Sequence, residues 1–471
     1  MESKITFGLI IGTRNIFSSK LAVSAREILL QKMEKHGFSY VVLPAGETPT
    51  GAIETLSDAR KCAKLFNENI DKIDGIIVVL PNFGDELGIV NTLRETRIKV
   101  PVLIQACDDD NDKVDVYSRR DAFCGKLSVC NNLYQYGIPF TDTTYHTYPL
   151  DSKEFENDLK YFSKVCRVVK GLSNARIGAV GARPAAFQTM RASEKLLQAS
   201  GITVVTVDLS EIFGAAQKFD NQASEVVSKV KEIQEYGKIP VHIKNDKVCH
   251  QAKFGIALEN WLTANEINAA AVQCWESIQK NYGCASCLSM SMLGEKLIPC
   301  ACEVDIAGVV SMYALMLATE KPSALLDWNN NFGTDRNKVV CTHCSNYPKS
   351  FFQSDIEIST LDILGTVLGH DDTFGAIKGK VGPGELTYFR ISTDDVNGSI
   401  KAYLGEGHIT NDPYKMDGGI AVCEIQNLQK LMKFMCKNGF EHHVAMGRGL
   451  AANIIEEAVD NYLGWDLYRH E

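Results

Sequence analysis

Residues 299–331 read PCACEVDIAGVVSMYALMLATEKPSALLDWNNN, and the way this stretch divides sets the fold. An acid, Glu303, comes just after a turn of small residues. The run Ile306, Val309, Val310, Tyr313, Ala314 and Leu317 then repeats near 3.6 residues, which predicts a helix. Lys321-Pro322 stops it, because proline lacks an amide donor and biases its predecessor away from αR. Ala324-Leu325-Leu326 follows as a short apolar strand with a second acid, Asp327, at its far end. A helix crossing between the two acids brings both carboxylates to one edge of a sheet, where they need a cation or a shared proton. The stretch therefore reads as a metal site with acid–base capacity.

Working outward, strands alternate with helical patterns. Apolar runs at 4–11, 40–43, 75–80 and 101–105 form a first set, and the pattern restarts at 176–180, 203–208 and 269–273. Such alternation implies parallel βαβ units with right-handed crossovers. Ligands gather at the carboxyl ends of strands in these sheets, where Arg14, Asn82, Asp85 and Arg183 fall. Beyond residue 355 the character changes. Short β-forming runs at 381–392, 398–409 and 418–425 are separated by Gly, Asn, Asp and Pro turns, which suits an antiparallel barrel or sandwich. The expected fold class is α/β: two consecutive parallel-sheet domains of Rossmann or flavodoxin type, then a β-rich, barrel-like domain. The expected boundaries are 1–170, 171–355 (carrying the metal carboxylates) and 356–471 (with a terminal helix).

A chain of 471 residues is too long for a single core, in keeping with that division. The net charge of -9 argues against nucleic acid as a partner, since phosphate binding needs a basic face. No apolar run reaches the roughly 18 residues of a membrane span. The start, MESKITFGLIIG, lacks the basic opening and cleavage pattern of a signal peptide, so the cytoplasm is the expected compartment. Scattered cysteines in such a chain read as reduced, buried thiols. Cys284-x-x-Cys287 and Cys341-x-x-Cys344 do have zinc-like spacing, which leaves a zinc-stabilised regulator as a rival reading.

The two acids still lack a nitrogen ligand. His343 ends the apolar run 339–343, and His443 lies in a Gly-flanked turn before the last helix. Two carboxylates plus one imidazole from either position favour Mn²⁺, Mg²⁺ or Co²⁺ over a thiolate-rich zinc site.

Ala301-Cys302-Glu303, Leu326-Asp327 and His442-His443-Val444-Ala445-Met446-Gly447 come in the order and spacing of motifs in the L-fucose/L-arabinose isomerase family, which the chain resembles. Aspartate rather than glutamate at the second motif resembles the fucose-type members. The shorter length is similar to a branch that includes sulfoquinovose isomerases. This resemblance implies Glu303, Asp327 and His443 as ligands of a divalent metal, Mn²⁺ first, with both carboxylates in acid–base roles. It implies His442 and His343 beside the metal and Gln273 as a substrate contact. Arg14 resembles the first-strand arginine that reaches the site of an adjoining subunit, in a trimer or hexamer with shared active sites. The implied reaction is aldose–ketose isomerisation of a free open-chain sugar through a cis-enediolate. The segment Val340-Cys341-Thr342-His343-Cys344 departs from the fucose type, leaving neutral deoxy sugar, pentose and sulfonated hexose open as substrates. A sulfonate needs fixed cations, and Arg14, Arg183 and Lys349 are candidates. A rival of another class is a non-catalytic sugar-binding protein, because paired α/β units also describe sugar receptors.

Overall fold

Strand β1 (Thr6–Ile11) sends Phe7, Leu9 and Ile11 into one core and Ile10 into another. Apolar residues on both faces are what a parallel sheet covered by helices requires. It pairs in parallel with β2 (Ser39–Val42) and β3 (Gly75–Leu80), and β3 pairs with β4 (Val102–Ala106), giving the order β2-β1-β3-β4. Our computed structural model describes residues 4–343, 346–415 and 418–471. The first sheet belongs to a compact unit that runs to Lys170 and includes Glu457–Gly464.

The second unit comprises Gly171–Glu456 with Trp465–Glu471. It opens with another parallel sheet of β5 (Arg176–Val180), β6 (Thr203–Val207), β7 (Ala269–Val272) and β8 (Cys300–Ala301), in the order β6-β5-β7-β8. The chain then forms β9 (Ser323–Phe332), β10 (Asp335–His343), β11 (Glu357–Thr360) and β12 (Phe374–Lys380). It continues with β13 (Gly384–Asp394), β14 (Ser399–Ile409), β15 (Gly419–Glu424), β16 (His443–Arg448) and β17 (Asp466–Arg469). Six of these strands close an antiparallel barrel in the order β15-β10-β9-β16-β13-β14, with β14 returning to β15. Alternate residues such as Leu326, Cys341, Tyr388, Tyr403 and Val444 fill its interior. Two parallel α/β sheets followed by a barrel is the expected class.

Two strand assignments differ and matter for the site. Both β9 and β10 precede residue 355, yet they pair in the barrel and not in the second parallel sheet. The helix Ile306–Thr319 is not a crossover between neighbouring parallel strands. Nearly all its residues are buried, and it lies between β5, β7 and β8 on one side and β9, β13 and β16 on the other. A helix that is apolar all round is a core helix, and its pattern does not say which sheet the chain joins next. Asp327 therefore stands on the barrel wall while Glu303 follows the sheet. His443 opens a strand, not a turn.

Cys284 and Cys287 pack in the core of the second sheet and Cys341 in that of the barrel. Cys344 lies outside the described residues. Among the described residues no cysteine joins a group placed to hold an ion. No helix of the described residues is long and apolar enough to cross a membrane.

Candidate metal centre

Immediately after β8 the backbone turns sharply: Glu303 (φ 60°) and Val304 (φ 55°) both take the left-handed conformation. A β-branched residue rarely adopts it, and each such position costs about 1–3 kcal/mol. Two hydrogen bonds hold the turn, Asp305 N to Cys302 O at 3.0 Å and Val304 N to Val272 O at 3.4 Å. Asp305 then caps the helix, its Oδ1 accepting from Gly308 N at 2.8 Å. Strain concentrated at the residue that carries the acid points to function at that position.

Asp327 on β9 lies directly across from His443 on β16 and, on its other side, from Thr342 on β10. Cross-strand partners share a face. Their neighbours Leu326 and Val444 fill the barrel, so Asp327 and His443 face outward. There His443 Nε2 is 3.5 Å from Glu303 Oε2, 3.4 Å from Asp327 Oδ1 and 3.4 Å from His343 Nε2. His442 Nε2 lies 3.8 Å from Asp327 Oδ1. Two overlapping triads result, Glu303–His442–His443 and Asp327–His343–His443, each with its donor atoms within 4.8 Å of one another. Ligand atoms about 2.1 Å from a common ion stand roughly 3–3.4 Å apart, so this spacing fits a divalent cation. Carboxylates and imidazoles without thiolate suit Mn²⁺, Mg²⁺ or Co²⁺.

Electrostatics prepare the donors. His443 is fully buried, and that burial lowers its pKa against the pull of Asp305, so the ring is neutral near pH 7. Its Nδ1 is 2.8 Å from Asp305 Oδ2. A carboxylate only accepts, so Nδ1 carries the proton and Nε2 offers its lone pair to the cluster. Burial alone would raise the Asp305 carboxyl, but Arg390 and the His443 hydrogen bond hold it well below the usual range. Burial lowers His442 as well, with His343 adding to the effect.

The cluster opens into a pocket of about 230 Å³ lined by Glu303, Asp327, His343 and His442. Phe187 and Trp275, edge to face at 5.0 Å, form an aromatic corner of the same pocket. Lys378 is the only lysine or arginine among the described residues lining it, and it pairs with Asp362.

Other residues singled out from the sequence are placed elsewhere. The Gln273 amide does not line the pocket: its Oε1 accepts from Ala182 N at 2.8 Å and its Nε2 donates to Trp275 O at 2.8 Å. It holds two turns together. Arg183 is likewise absent from the lining; Nη1 donates to Pro184 O at 2.9 Å and Phe187 O at 3.0 Å, clasping the loop that bears Phe187. Lys349 reaches Glu235 O, away from the pocket wall. Arg14 belongs to the first unit, where it pairs with Glu86 at 3.1 Å and lies 4.3 Å over the Phe83 ring. Asp305, Arg390, Glu441, Phe187 and Lys378 were not read from the sequence. Only Asp305, an N-cap acid two residues after Glu303, left a local signal.

An α/β protein with a barrel-borne carboxylate–histidine centre is the class that fold and site define. Residues 8–173 match the family model of the fucose/sulfoquinovose isomerase N-terminal domain, and residues 341–471 that of the L-fucose isomerase C-terminal domain. The chain belongs to this isomerase family, and so to the aldose–ketose isomerases, not to the sugar receptors. It is similar to proteins named sulfoquinovose isomerase from Priestia aryabhattai and Priestia megaterium, each 26% identical over 323 residues, 68% of this chain and 69% of theirs. A sulfoquinovose isomerase from Alkalicoccus urumqiensis is 24% identical over 301 residues, 63% of this chain and 65% of its own.

Proposed function

We propose that this isomerase interconverts sulfoquinovose, a 6-deoxy-6-sulfo aldose, and its ketose through a cis-enediolate. The observation that carries the reading is the meeting of two carboxylates that line one pocket, Glu303 and Asp327, with the buried His443 Nε2 within 3.5 Å of both. The reaction removes a proton from C2 and returns it at C1, while the carbonyl moves from C1 to C2. Glu303 and Asp327 supply the base and the acid of that transfer. A divalent ion held by Glu303, Asp327 and His443, Mn²⁺ first, would supply Lewis acidity toward charge building on the two neighbouring sugar oxygens. Phe187 and Trp275 present apolar faces to the sugar C–H groups and keep water away. Lys378 offers the cation for a sulfonate, and the names of the relatives support that choice. The C-terminal match to L-fucose isomerase favours a neutral 6-deoxyhexose as second reading, in which Lys378 stays with Asp362.

The test is a panel of sulfoquinovose, L-fucose, D-arabinose, L-arabinose and D-galactose, assayed after chelation and after return of Mn²⁺, Mg²⁺ or Co²⁺. Turnover of sulfoquinovose restored by metal is expected; no turnover of any of the five would end the reading. In the same assay Arg183→Ala is expected to raise the sugar KM about tenfold, because the loop bearing Phe187 loses its clasp. Its Mn²⁺ affinity should be unchanged, and a wild-type KM would show that the loop holds itself. The trimer or hexamer implied by the family resemblance is read directly by light scattering.

A further inference from the structure

Gly308 stands in the first turn of the helix Ile306–Thr319, where alanine would ordinarily favour the helix by about 1 kcal/mol. A Cβ there would meet Asp305 Oδ2 at 2.3 Å and Arg390 Nη1 at 2.9 Å. The position is kept clear for a carboxylate–guanidinium contact. Arg390, on β13, is wholly buried, with Nη1 on Asp305 Oδ2 and Nη2 on Oδ1 at 3.1 Å. Its Nε donates to Glu441 Oε2 at 3.2 Å, and Ser392 Oγ donates to Glu441 Oε1 at 2.8 Å. Asp305 Oδ2 also accepts the hydrogen bond from His443 Nδ1–H at 2.8 Å. Neither Arg390 nor Glu441 lines the pocket or joins the donor cluster.

We propose that Arg390 is a positioning residue of the metal centre, acting through Asp305, and that Gly308 supplies the room for it. The planar fork fixes the plane of the Asp305 carboxylate, which fixes the His443 ring. Nε2 is thereby held between Glu303 and Asp327. This inference rests on the reading of the cluster as a divalent-ion site. Bulk charge is the competing account: Glu303, Asp327, Asp305 and Glu441 against Arg390 leave a negative excess that would attract any cation. On that account lysine would replace Arg390 without loss, and Gly308→Ala, which alters no charge, would do nothing.

Calorimetric titration of metal-free protein with Mn²⁺ separates the two, using wild type, Gly308→Ala and Arg390→Lys, with near-ultraviolet circular dichroism of the same samples. Both variants are expected to bind Mn²⁺ some 10–100-fold more weakly while keeping the native spectrum. If Arg390→Lys does not keep that spectrum, Gly308→Ala alone decides. Wild-type affinity in Gly308→Ala overturns the proposal, as does wild-type affinity in a folded Arg390→Lys. A collapsed spectrum in both variants also overturns it, because the network would then hold the fold and not the ligand. Wild-type protein that binds Mn²⁺ but isomerises no sugar would defeat the proposed function and leave this inference standing.

Discussion

Glu303→Gln is expected to lower kcat by about a thousandfold or more and to leave the circular dichroism spectrum unchanged. Glutamine keeps the length and shape of the side chain, so the left-handed turn at Glu303 and Val304 is not altered. What disappears is one negative charge, 3.5 Å from the lone pair of His443. General-base catalysis alone contributes roughly 10²–10⁴-fold, and the same oxygen also serves as a ligand, so the two losses compound. Stability should move the other way in metal-free protein. Glu303 is only 4% exposed, and an amide in that place avoids the cost of a desolvated charge. Asp327→Asn should show the same loss of turnover with a smaller gain in stability, because its side chain is 29% exposed. Near-normal activity in either variant would remove that carboxylate from the chemistry.

The fold was legible where burial and periodicity agree. β3 is apolar at every position and β1 at every position after Thr6, as a sheet covered on both faces requires. The long C-terminal strands were legible for another reason, since turn residues punctuate them. The failure came at β9. Its apolar part ends at Leu326, and Asp327-Trp328-Asn329-Asn330-Asn331 looks like loop because asparagine is a poor strand former. Those residues nonetheless run on as the arm of a hairpin with β10, paired from Asp335↔Phe332 to Thr342↔Asp327. Tertiary pairing overrides propensity here. It also changes which sheet carries the second acid.

The site was half legible. Glu303, Asp327 and His443 each adjoin an apolar run, so an acid or imidazole there stands out. Arg390 did not, because an arginine within Tyr388-Phe389-Arg390-Ile391 reads as the solvent-facing member of a strand. Its complete burial depends on Asp305 and Glu441, which are 85 and 51 residues away, and no local pattern encodes that meeting. Gln273 and Arg183 illustrate the opposite case. Both are polar residues at strand ends, where ligands gather, yet their hydrogen bonds go to the turns around them.

Saturating Mn²⁺ is expected to raise the melting midpoint of chelated protein by about 10 °C. An ion that binds only the folded chain stabilises it by RT ln(1 + [L]/Kd), about 4 kcal/mol at a thousandfold excess over Kd. Each kcal/mol shifts the midpoint of a domain of 150–250 residues by about 2–4 °C. The site is prepared for this, since burial keeps His443 neutral and Asp305 aims its Nε2 at the carboxylates. Imidazole ligands make the order informative: Co²⁺ and Mn²⁺ should stabilise more than Mg²⁺, which prefers oxygen and holds its waters. Ca²⁺ should do least, because it prefers six to eight oxygen ligands and imidazoles make up half or more of each donor triad. Glu303→Gln should lose most of the Mn²⁺ shift although its metal-free form melts higher, and that opposition of signs separates ligand loss from general damage. Equal midpoints with and without every divalent ion tried would mean that the carboxylates and imidazoles meet for some purpose other than holding a cation.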